Sequence, residues 1–335
     1  MNIGIAKIGQ KIYFNREDVA LDRSNTNGNQ GTYKMIKLLV DNNLEQNFYM
    51  LSESDLHTNI QNKPSNLHYY ITIGAKLDFV FVFTGLGEYE KNNSMIEKLN
   101  KLYSDGTMFV FICEDPRCLE SMNKDTRMTF VPRVIIGQTN ETVIYKGKQR
   151  NMVYRPIEKA ICYLSQNKID WDKKETDLIA IANTSGDMYN RPEILHRLIG
   201  SEDVPVYGRL SEEEQKWFVN YKGEIKYNAM MFEMKRAWAT IIIPIRKGWV
   251  TSKYVEALMN GVYPIFYKDY NTYLLGWEYL PVTIDNMDEL GEAVRLIRAN
   301  KTNVRKMVES WICTEIEPYI SGKLLSKQIM EVIGL

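Results

Sequence analysis

The sequence predicts an α/β protein made of two Rossmann-like, doubly wound domains. Short apolar strands alternate with amphipathic helices along most of the chain, as in a parallel sheet covered by helices on both faces. The alternation is interrupted by the charged stretch from Asn167 to Asp177 and then resumes. The chain has 335 residues, which is enough for two cores of ordinary size.

The first half contains the elements of one such domain. The apolar run from Asn2 to Ile8 predicts a buried strand, and an Asn- and Gly-rich loop from Ser24 to Gly31 follows it. This loop either connects surface elements or borders a cleft. A helix is expected from about Thr32 to Asn43. Further elements are predicted as strands at residues 47–51, 68–74, 77–85 and 107–113, a helix from Met95 to Leu102, and a continuation from Val134 to Arg155.

The charged stretch sets the predicted domain boundaries. We expect an N-terminal domain over residues 1–165, a linker over 166–177, a second domain over 178–315 and a C-terminal helix over 316–335 that packs back. The linker contains Asp170 and Asp172, which match a metal-binding D-x-D pattern. A three-residue match in a polar linker is weak, so no metal ligand is assigned, although a divalent metal stays possible.

The second domain is organised around residues 241–267. The β-branched run at 241–245 predicts a buried parallel strand, which ends in a loop. Thr251 or Ser252 is expected to cap a short helix that ends at Gly261, before a second strand. The stretch therefore predicts one strand–helix–strand unit of an open sheet.

Four charged residues, Arg246, Lys247, Lys253 and Glu256, follow the first of these strands. In an open parallel sheet, ligands bind beyond the carboxyl ends of the strands, against helix N-termini that favour anions. Cations there can hold a diphosphate, and a carboxylate one turn into the helix can accept two hydrogen bonds from a ribose diol. The spacing suits a nucleotide-sugar; the alternative is an ordinary strand–helix–strand unit with solvated charges.

A second anion-binding loop is predicted where an apolar strand starting at Leu178 breaks into small polar residues. Their backbone N–H groups can approach an anion, and Arg191 at the next helix start can supply positive charge. The loop lacks the Walker and G-x-G-x-x-G patterns, which argues against NTP hydrolysis and dinucleotide binding. The loop residues are Asn183, Thr184, Ser185 and Gly186.

In the first half, the strand predicted at 107–113 is followed by two adjacent carboxylates, Glu114 and Asp115. A carboxylate there is well placed for chemistry, and the alternative is a cap of the turn that starts at Pro116. The basic residues Lys146, Lys148 and Arg150 could contact phosphates or be solvated.

The composition argues against several classes of protein. The formal net charge is zero, which argues against a protein that coats nucleic acid non-specifically but leaves room for a local basic groove. The four cysteines lack zinc-finger spacing, so free thiols in a reducing compartment are expected. No segment is apolar and long enough to span a bilayer, and the N-terminus does not read as a signal peptide, so we expect a cytoplasmic protein.

Six segments carry a collinear resemblance to a known family: NIGIAKIGQ, the following helix with Tyr33, FVFICEDPR, DLIAIANTSG, KGEIKYNAM and the helix with Glu256. They resemble the phage DNA β-glucosyltransferases, which have the GT-B fold of two Rossmann-like domains facing a central cleft. The resemblance implies that Asp115 is the general base. It also implies that Arg117 matches an arginine that the family has two positions after that base. It also implies that Ile225, with Tyr227, lies in the uracil-contacting segment.

The same resemblance places Glu256 on the ribose and Lys253 where the family has an arginine. Arg191 is then the best candidate for an arginine that binds the diphosphate. The family's second arginine has no clear counterpart, and Arg246 and Lys247 are the two alternatives for it. Gln30 replaces a glutamate near the first helix, on the side that faces sugar or acceptor. This departure leaves open whether the sugar is glucose or a pentose such as arabinose.

The resemblance implies a UDP-sugar-dependent glycosyltransferase, acting as a monomer in the host cytoplasm on hydroxymethylated double-stranded DNA, with the target base flipped out. Two other functions stay open. One is a GT-B glycosyltransferase with a cell-wall, lipid or protein acceptor, and the other is a binding module without catalysis.

Overall fold

The computed structural model describes residues 1–8, 29–51, 65–69, 76–85, 93–113, 115–161, 169–182, 189–279 and 281–334. The chain divides into two compact units. Unit 1 contains Met1–Ile161 and Ser321–Leu335, and unit 2 contains Cys162–Ile320. The predicted fold class is confirmed, because each unit has its own sheet with helices between the strands.

Unit 1 is built on an eight-stranded sheet in the order β3-β2-β1-β4-β5-β6-β8-β7. Its neighbours pair in parallel, except that β7 and β8 form an antiparallel hairpin. The strands are β1 (Asn2–Ile8), β2 (Asn47–Met50), β3 (Leu67–Tyr69), β4 (Phe79–Thr84), β5 (Met108–Cys113), β6 (Val134–Gly137), β7 (Glu141–Tyr145) and β8 (Lys148–Tyr154).

The central strands of unit 1 are covered on both faces, which explains their continuous apolar sequences. Every residue of β4 is buried. The covering helices are α1 (Asn29–Asp41), α2 (Asn93–Ser104), α3 (Pro116–Lys124) and α4 (Ile157–Ile161). Phe109 stacks on Phe130 with ring centroids 5.3 Å apart, and Phe111 meets Tyr145 edge to face at 5.4 Å.

Unit 2 contains a six-stranded sheet in the order β11-β10-β9-β12-β13-β14, and its neighbouring strands pair in parallel. The order reverses between β9 and β12, the topological switch point where open sheets bind ligands. The strands are β9 (Thr176–Ile181), β10 (Val206–Tyr207), β11 (Tyr221–Gly223), β12 (Ala237–Ile242), β13 (Tyr263–Tyr267) and β14 (Thr283–Ile284).

The position of β12 corrects the expected strand at 241–245. The strand begins four residues earlier, at Ala237, and ends at Ile242. Pro244 follows closely and has no backbone N–H to donate to a neighbouring strand. The β-branched run therefore marks the end of the strand rather than its centre.

The helices of unit 2 connect its strands and complete its C-terminal part. They are α5 (Arg191–Ile199), α6 (Glu212–Gln215), α7 (Tyr227–Lys235), α8 (Lys253–Met259), α9 (Met287–Ala299), α10 (Lys301–Trp311) and α11 (Glu317–Ile320), with a π-helical turn at Ile312–Ile316. No described helix is both long and apolar enough to cross a membrane.

The C-terminal segment packs back on unit 1, as predicted from the sequence. Helix α12 (Lys323–Val332) lies against α1, where the Asn43 Nδ2 donates to the Ser326 hydroxyl at 2.5 Å. Gly322 precedes it with φ +71°, and a Cβ there would lie 2.3 Å from the Leu38 Cδ2. The close approach of the two helices therefore requires a glycine.

The start of unit 2 is held by a buried lysine. Within the predicted linker, Trp171 is buried against Trp238, with ring centroids 5.7 Å apart. Beside them, the Lys174 ammonium donates to the carbonyl oxygens of Ala237 at 2.6 Å and Asn260 at 3.3 Å, which ties the linker to β12 and to the end of α8. Asp170 pairs with Lys173 at 2.9 Å.

We predict that Lys174 makes the stability of unit 2 depend on pH. Burial lowers the pKa of Lys174 to about 7. Between that value and the ordinary lysine pKa of about 10.4, the unfolded chain binds more protons, so stability rises with pH in this window. The Tm of the wild type, relative to Lys174→Met, should therefore rise from about pH 7 to about pH 9.

The matched control is Lys173→Met, because the neighbouring Lys173 side chain is 80% exposed. Its Tm difference from the wild type should not follow this rise. A difference between the wild type and Lys174→Met that stays constant over this pH range, measured by calorimetry, would contradict the prediction.

Candidate functional site

The predicted nucleotide-sugar residues of unit 2 gather at one edge of its sheet. Arg191 begins α5 after β9, Ile225 lies between β11 and α7, and Arg246 lies between β12 and α8. Lys253 and Glu256 are in the first turn of α8. Because the strands are parallel, the segments after them all start at the carboxyl edge. Asn183, Thr184, Ser185 and Gly186 lie outside the described residues, as does the side chain of Tyr227.

Glu256 is a nearly buried carboxylate, with 6% of its surface exposed. The Lys253 ammonium donates to its Oε2 at 2.6 Å, since residues three apart share a helix face. Ser252 stands at the N-cap position without capping, and its hydroxyl lies 3.5 Å from the Glu256 Oε1. The expected cap is therefore replaced by a contact to the carboxylate.

Tyr270 fixes the start of α8 instead. Its hydroxyl accepts a hydrogen bond from the Thr251 N–H at 2.9 Å and donates to the Thr251 carbonyl at 3.0 Å. Tyr270 lies beyond β13, nineteen residues along the chain. Sequence reasoning missed this contact because no local pattern marks it.

The loop between β12 and α8 forms a tight turn that carries Arg246. The Arg246 guanidinium lies 5.4 Å from the centre of the Trp249 ring, and Trp249 is buried. The backbone N–H of Trp249 donates to the Arg246 carbonyl at 3.0 Å, and Gly248 has φ +76°. Trp249 thus anchors the loop while Arg246 stays half-buried at the edge.

A carboxylate that sequence reasoning missed, Asp269, links two of these loops. It follows β13, and its Oδ2 accepts a short hydrogen bond from the Tyr189 hydroxyl, two residues before Arg191. Its Oδ1 lies 3.6 Å from the Lys247 ammonium, and its backbone carbonyl accepts from the Gly248 N–H at 2.8 Å. Burial and Asp269 raise the pKa of Tyr189, so that hydroxyl stays a donor.

In unit 1, Asp115 is the N-cap of α3 and follows β5. Its Oδ1 accepts from the Arg117 backbone N–H at 2.9 Å, and the Arg117 guanidinium donates from Nε and Nη2 at 3.0 and 2.5 Å. The capping alternative therefore describes the local bonding. The carboxylate is also held by a charged fork, and its side chain is 18% exposed.

The predicted basic residues Lys146 and Lys148 lie at the opposite edge of that sheet from Asp115. Lys146 and Gly147, with φ +48° and +73°, form the turn between β7 and β8. The Lys146 ammonium donates to the carbonyls of Asn123 and Asp125 at 3.0 and 2.6 Å. Lys146 therefore stabilises the end of α3, and the structure does not bring it together with Asp115.

The two remaining acceptor-side residues are less informative. Arg150 lies within β8, where its guanidinium donates to the Gln149 carbonyl at 2.8 Å. Gln30 is in the first turn of α1, and its side chain is not described. Of the predicted acceptor side, Asp115 and Arg117 are thus the described pair at the carboxyl edge.

Within the described part of the chain, no group of three or more His, Cys, Asp or Glu side chains is placed to hold a metal ion. Three of the four cysteines are described: Cys113 and Cys118 are buried, and Cys313 is exposed. His196 packs against the rings of Trp217 and Phe218, which agrees with a structural role.

No protein-family model and no curated protein sequence matches the chain. Several solved structures are similar to the chain. A T4 phage BGT in complex with UDP and Mn²⁺ is 13% identical, with a TM-score of 0.65, and 100% of each chain is covered. The DNA modifying enzyme beta-glucosyltransferase is 14% identical, with a TM-score of 0.63 and the same coverage.

A third structure is AviGT4, a glycosyltransferase involved in avilamycin A biosynthesis. It is 12% identical, with a TM-score of 0.52, and the match covers 100% of this chain and 99% of that chain. At these identities the likeness shows the fold alone. The chain has the two-domain GT-B fold.

We predict that Asp269 holds the two loops of unit 2 in place. Asp269→Leu removes both side-chain contacts, whereas Asp269→Asn keeps an acceptor for Tyr189. Hydrogen bonds to charged groups contribute about 1.5–3 kcal/mol, so amides of residues 246–250 and the start of α5 should exchange roughly 10-fold faster or more in the Leu variant. Hydrogen exchange with mass spectrometry measures this.

The control is Asp285→Asn, which removes the exposed pair with Lys268 at 2.7 Å. Exposed ion pairs contribute little, so exchange in these loops should not change. Equal exchange in the wild type and Asp269→Leu would show that the contacts are not needed.

Proposed function

We propose that this protein transfers a sugar from a UDP-sugar to the hydroxyl of 5-hydroxymethylcytosine in double-stranded DNA. The observation that carries the proposal is the carboxyl edge of unit 2, where Glu256, Lys253, Arg191 and Arg246 occupy one border of a GT-B sheet. Support comes from the full-length likeness to a phage BGT bound to UDP and to a DNA modifying beta-glucosyltransferase.

Unit 2 takes the donor in this proposal. Glu256 accepts hydrogen bonds from the ribose diol, with its orientation set by Lys253. Ile225 borders the uracil. Tyr227 and the segment from Asn183 to Gly186 are assigned to nucleotide-sugar binding from the sequence alone. Arg191 and Arg246 neutralise the charge that develops on the diphosphate as it leaves.

Unit 1 takes the acceptor. Asp115 accepts the proton of the hydroxymethyl group while the hydroxyl oxygen bonds to the anomeric carbon of the sugar. The bond from that carbon to the diphosphate oxygen breaks, and UDP leaves. Arg117 holds the Asp115 carboxylate in one orientation, and the exposed part of that side chain leaves room for a hydroxyl.

The acceptor base is flipped out of the DNA stack in this proposal, because enzymes that carry out chemistry on a base of duplex DNA extrude it into the active site. The protein acts on DNA as a monomer in this proposal. The donor is UDP-glucose or a UDP-pentose such as UDP-arabinose, and a panel of UDP-sugars with mass analysis of the nucleosides identifies it. Labelling of unmodified DNA, or of no DNA, would reject the acceptor.

The variant Asp115→Asn tests the role of Asp115 as general base. Transfer should fall by roughly 10²–10⁴-fold, because the general base is lost, while UDP affinity stays within a few-fold. Asp125→Asn is a matched control, since Asp125 makes the same fork to Arg127, with Nε at 2.9 Å, at the other end of α3. Its transfer rate should stay near that of the wild type. Unchanged turnover in Asp115→Asn would reject the assignment.

The variant Glu256→Ala tests the role of Glu256 in binding the donor. Loss of a charged acceptor for the ribose should weaken UDP binding by about 10–100-fold in calorimetry. Glu292→Ala removes an exposed carboxylate with the same three-residue spacing, paired to Arg295 at 2.6 Å, and should leave UDP affinity unchanged. Equal affinities for the two variants would remove Glu256 from the donor site.

A further inference from the structure

The start of α8 contains a serine that does not play the part its position predicts. Ser252 stands at the N-cap, where a serine side chain ordinarily accepts a hydrogen bond from a backbone N–H group of the first turn. Its φ and ψ are −64° and −13°, which are helical values, and its side chain makes no capping hydrogen bond. The Ser252 hydroxyl is therefore not used to begin the helix.

Backbone contacts place this hydroxyl on the same face of α8 as the Glu256 carboxylate. The Tyr270 hydroxyl binds the N–H and the carbonyl oxygen of Thr251, so the residue before Ser252 is held from outside the helix. The Ser252 carbonyl oxygen accepts from the Glu256 N–H at 3.1 Å, as in a regular helical turn. Residues four apart share a helix face, so the two side chains are neighbours.

A second serine of unit 2 shows the ordinary arrangement. Ser211 is the N-cap of α6, with φ −65° and ψ 160°, and its hydroxyl oxygen accepts from the Glu214 N–H at 3.3 Å. The Glu214 carboxylate in turn accepts from the Ser211 N–H at 2.8 Å and from its hydroxyl at 2.6 Å. This capping box joins the serine and the glutamate to each other. The serine and glutamate of α8 are not joined in this way.

The two oxygens of the Glu256 carboxylate have different surroundings. Oε2 accepts from the Lys253 ammonium at 2.6 Å, whereas Oε1 lies 3.5 Å from the Ser252 hydroxyl oxygen. A hydroxyl normally lies about 2.7–2.8 Å from its acceptor, so the contact to Oε1 is too long for a strong hydrogen bond. A third oxygen atom can lie at hydrogen-bonding distance from both, because their separation is well below twice that length.

The group that suits this pair is a hydroxyl that both donates and accepts. It donates to the Glu256 Oε1, since a carboxylate oxygen only accepts, and it accepts from the Ser252 hydroxyl. A sugar hydroxyl meets both conditions, whereas a phosphate or carbonyl oxygen has no proton to give to the carboxylate. Ser252 is half-buried and the Lys253 side chain is 32% exposed, so the pair lies at the surface of unit 2 and not in its core.

We propose that Ser252 is a specificity-determining residue of the donor site, which binds one ribose hydroxyl jointly with the Glu256 Oε1. The ribose hydroxyl donates to the carboxylate and accepts from the serine. This inference rests on the proposed function and adds a residue to its donor site. A nucleotide that lacks the shared hydroxyl loses both hydrogen bonds at once. Ser252 contacts the donor nucleotide and takes no part in proton transfer.

The test measures by calorimetry how UDP, 2′-deoxy-UDP and 3′-deoxy-UDP bind to the wild type and to Ser252→Ala. The variant should bind UDP roughly 3–10-fold more weakly, as expected for the loss of one neutral hydrogen bond. One of the two deoxy analogues lacks the shared hydroxyl. It should bind the wild type roughly 10–100-fold more weakly than UDP does, and it should bind the wild type and the variant equally. The other analogue should show the same loss as UDP.

The matched control is Ser211→Ala, which removes a serine that does cap its helix. This variant should have a lowered Tm and wild-type affinities for all three nucleotides, whereas Ser252→Ala should keep a Tm near that of the wild type because no cap is lost.

Three outcomes separate this inference from the proposed function. Unchanged UDP affinity in Ser252→Ala, or an equal loss for all three nucleotides, overturns the inference alone. Binding of UDP with the expected pattern but without transfer to hydroxymethylated DNA overturns the acceptor and leaves the inference standing. Absence of UDP binding by the wild type overturns the proposed function, and the inference with it.

Discussion

Strand direction is the constraint on which the site depends. When neighbouring strands run parallel, the chain leaves every strand at the same edge, and side chains far apart in sequence meet there. In unit 2 this brings together Arg191, Arg246 and Glu256, which follow β9 and β12. In unit 1 it places Asp115 and Arg117 at the carboxyl edge, after β5. The candidate site residues of both units therefore lie at the carboxyl edges of their sheets.

The fold class could be predicted from sequence because the strands are buried on both faces. Their apolar runs, such as β4 and β5, are separated by helices with clear apolar faces, such as α9. The ends of individual strands were harder to predict from the sequence. The strand β12 starts in Ala-Trp-Ala-Thr, which has a weak strand pattern, and ends before Pro244. The strongest β-branched residues did not mark its start.

The positions of Lys253 and Glu256 in the first turn of one helix were predictable, because they depend on local spacing. Contacts between distant segments were not predictable. Asp269 meets Tyr189 across 80 residues, and Tyr270 fixes the start of α8 from beyond the next strand. Charge alone was also misleading. The basic run in the first half contains Lys146, whose ammonium binds the carbonyls at the end of α3, because the hairpin carries it to the far edge of the sheet.

The path of the chain has a consequence for how the protein folds during synthesis. Unit 1 is discontinuous, since α12 packs on α1 but is encoded after all of unit 2. An N-terminal unit emerging from the ribosome therefore lacks its last helix, and the surface of α1 around Leu38 and Asn43 stays uncovered meanwhile. Unit 2 is continuous and can complete its core first. Unit 1 can therefore be completed only after all of unit 2 has been translated.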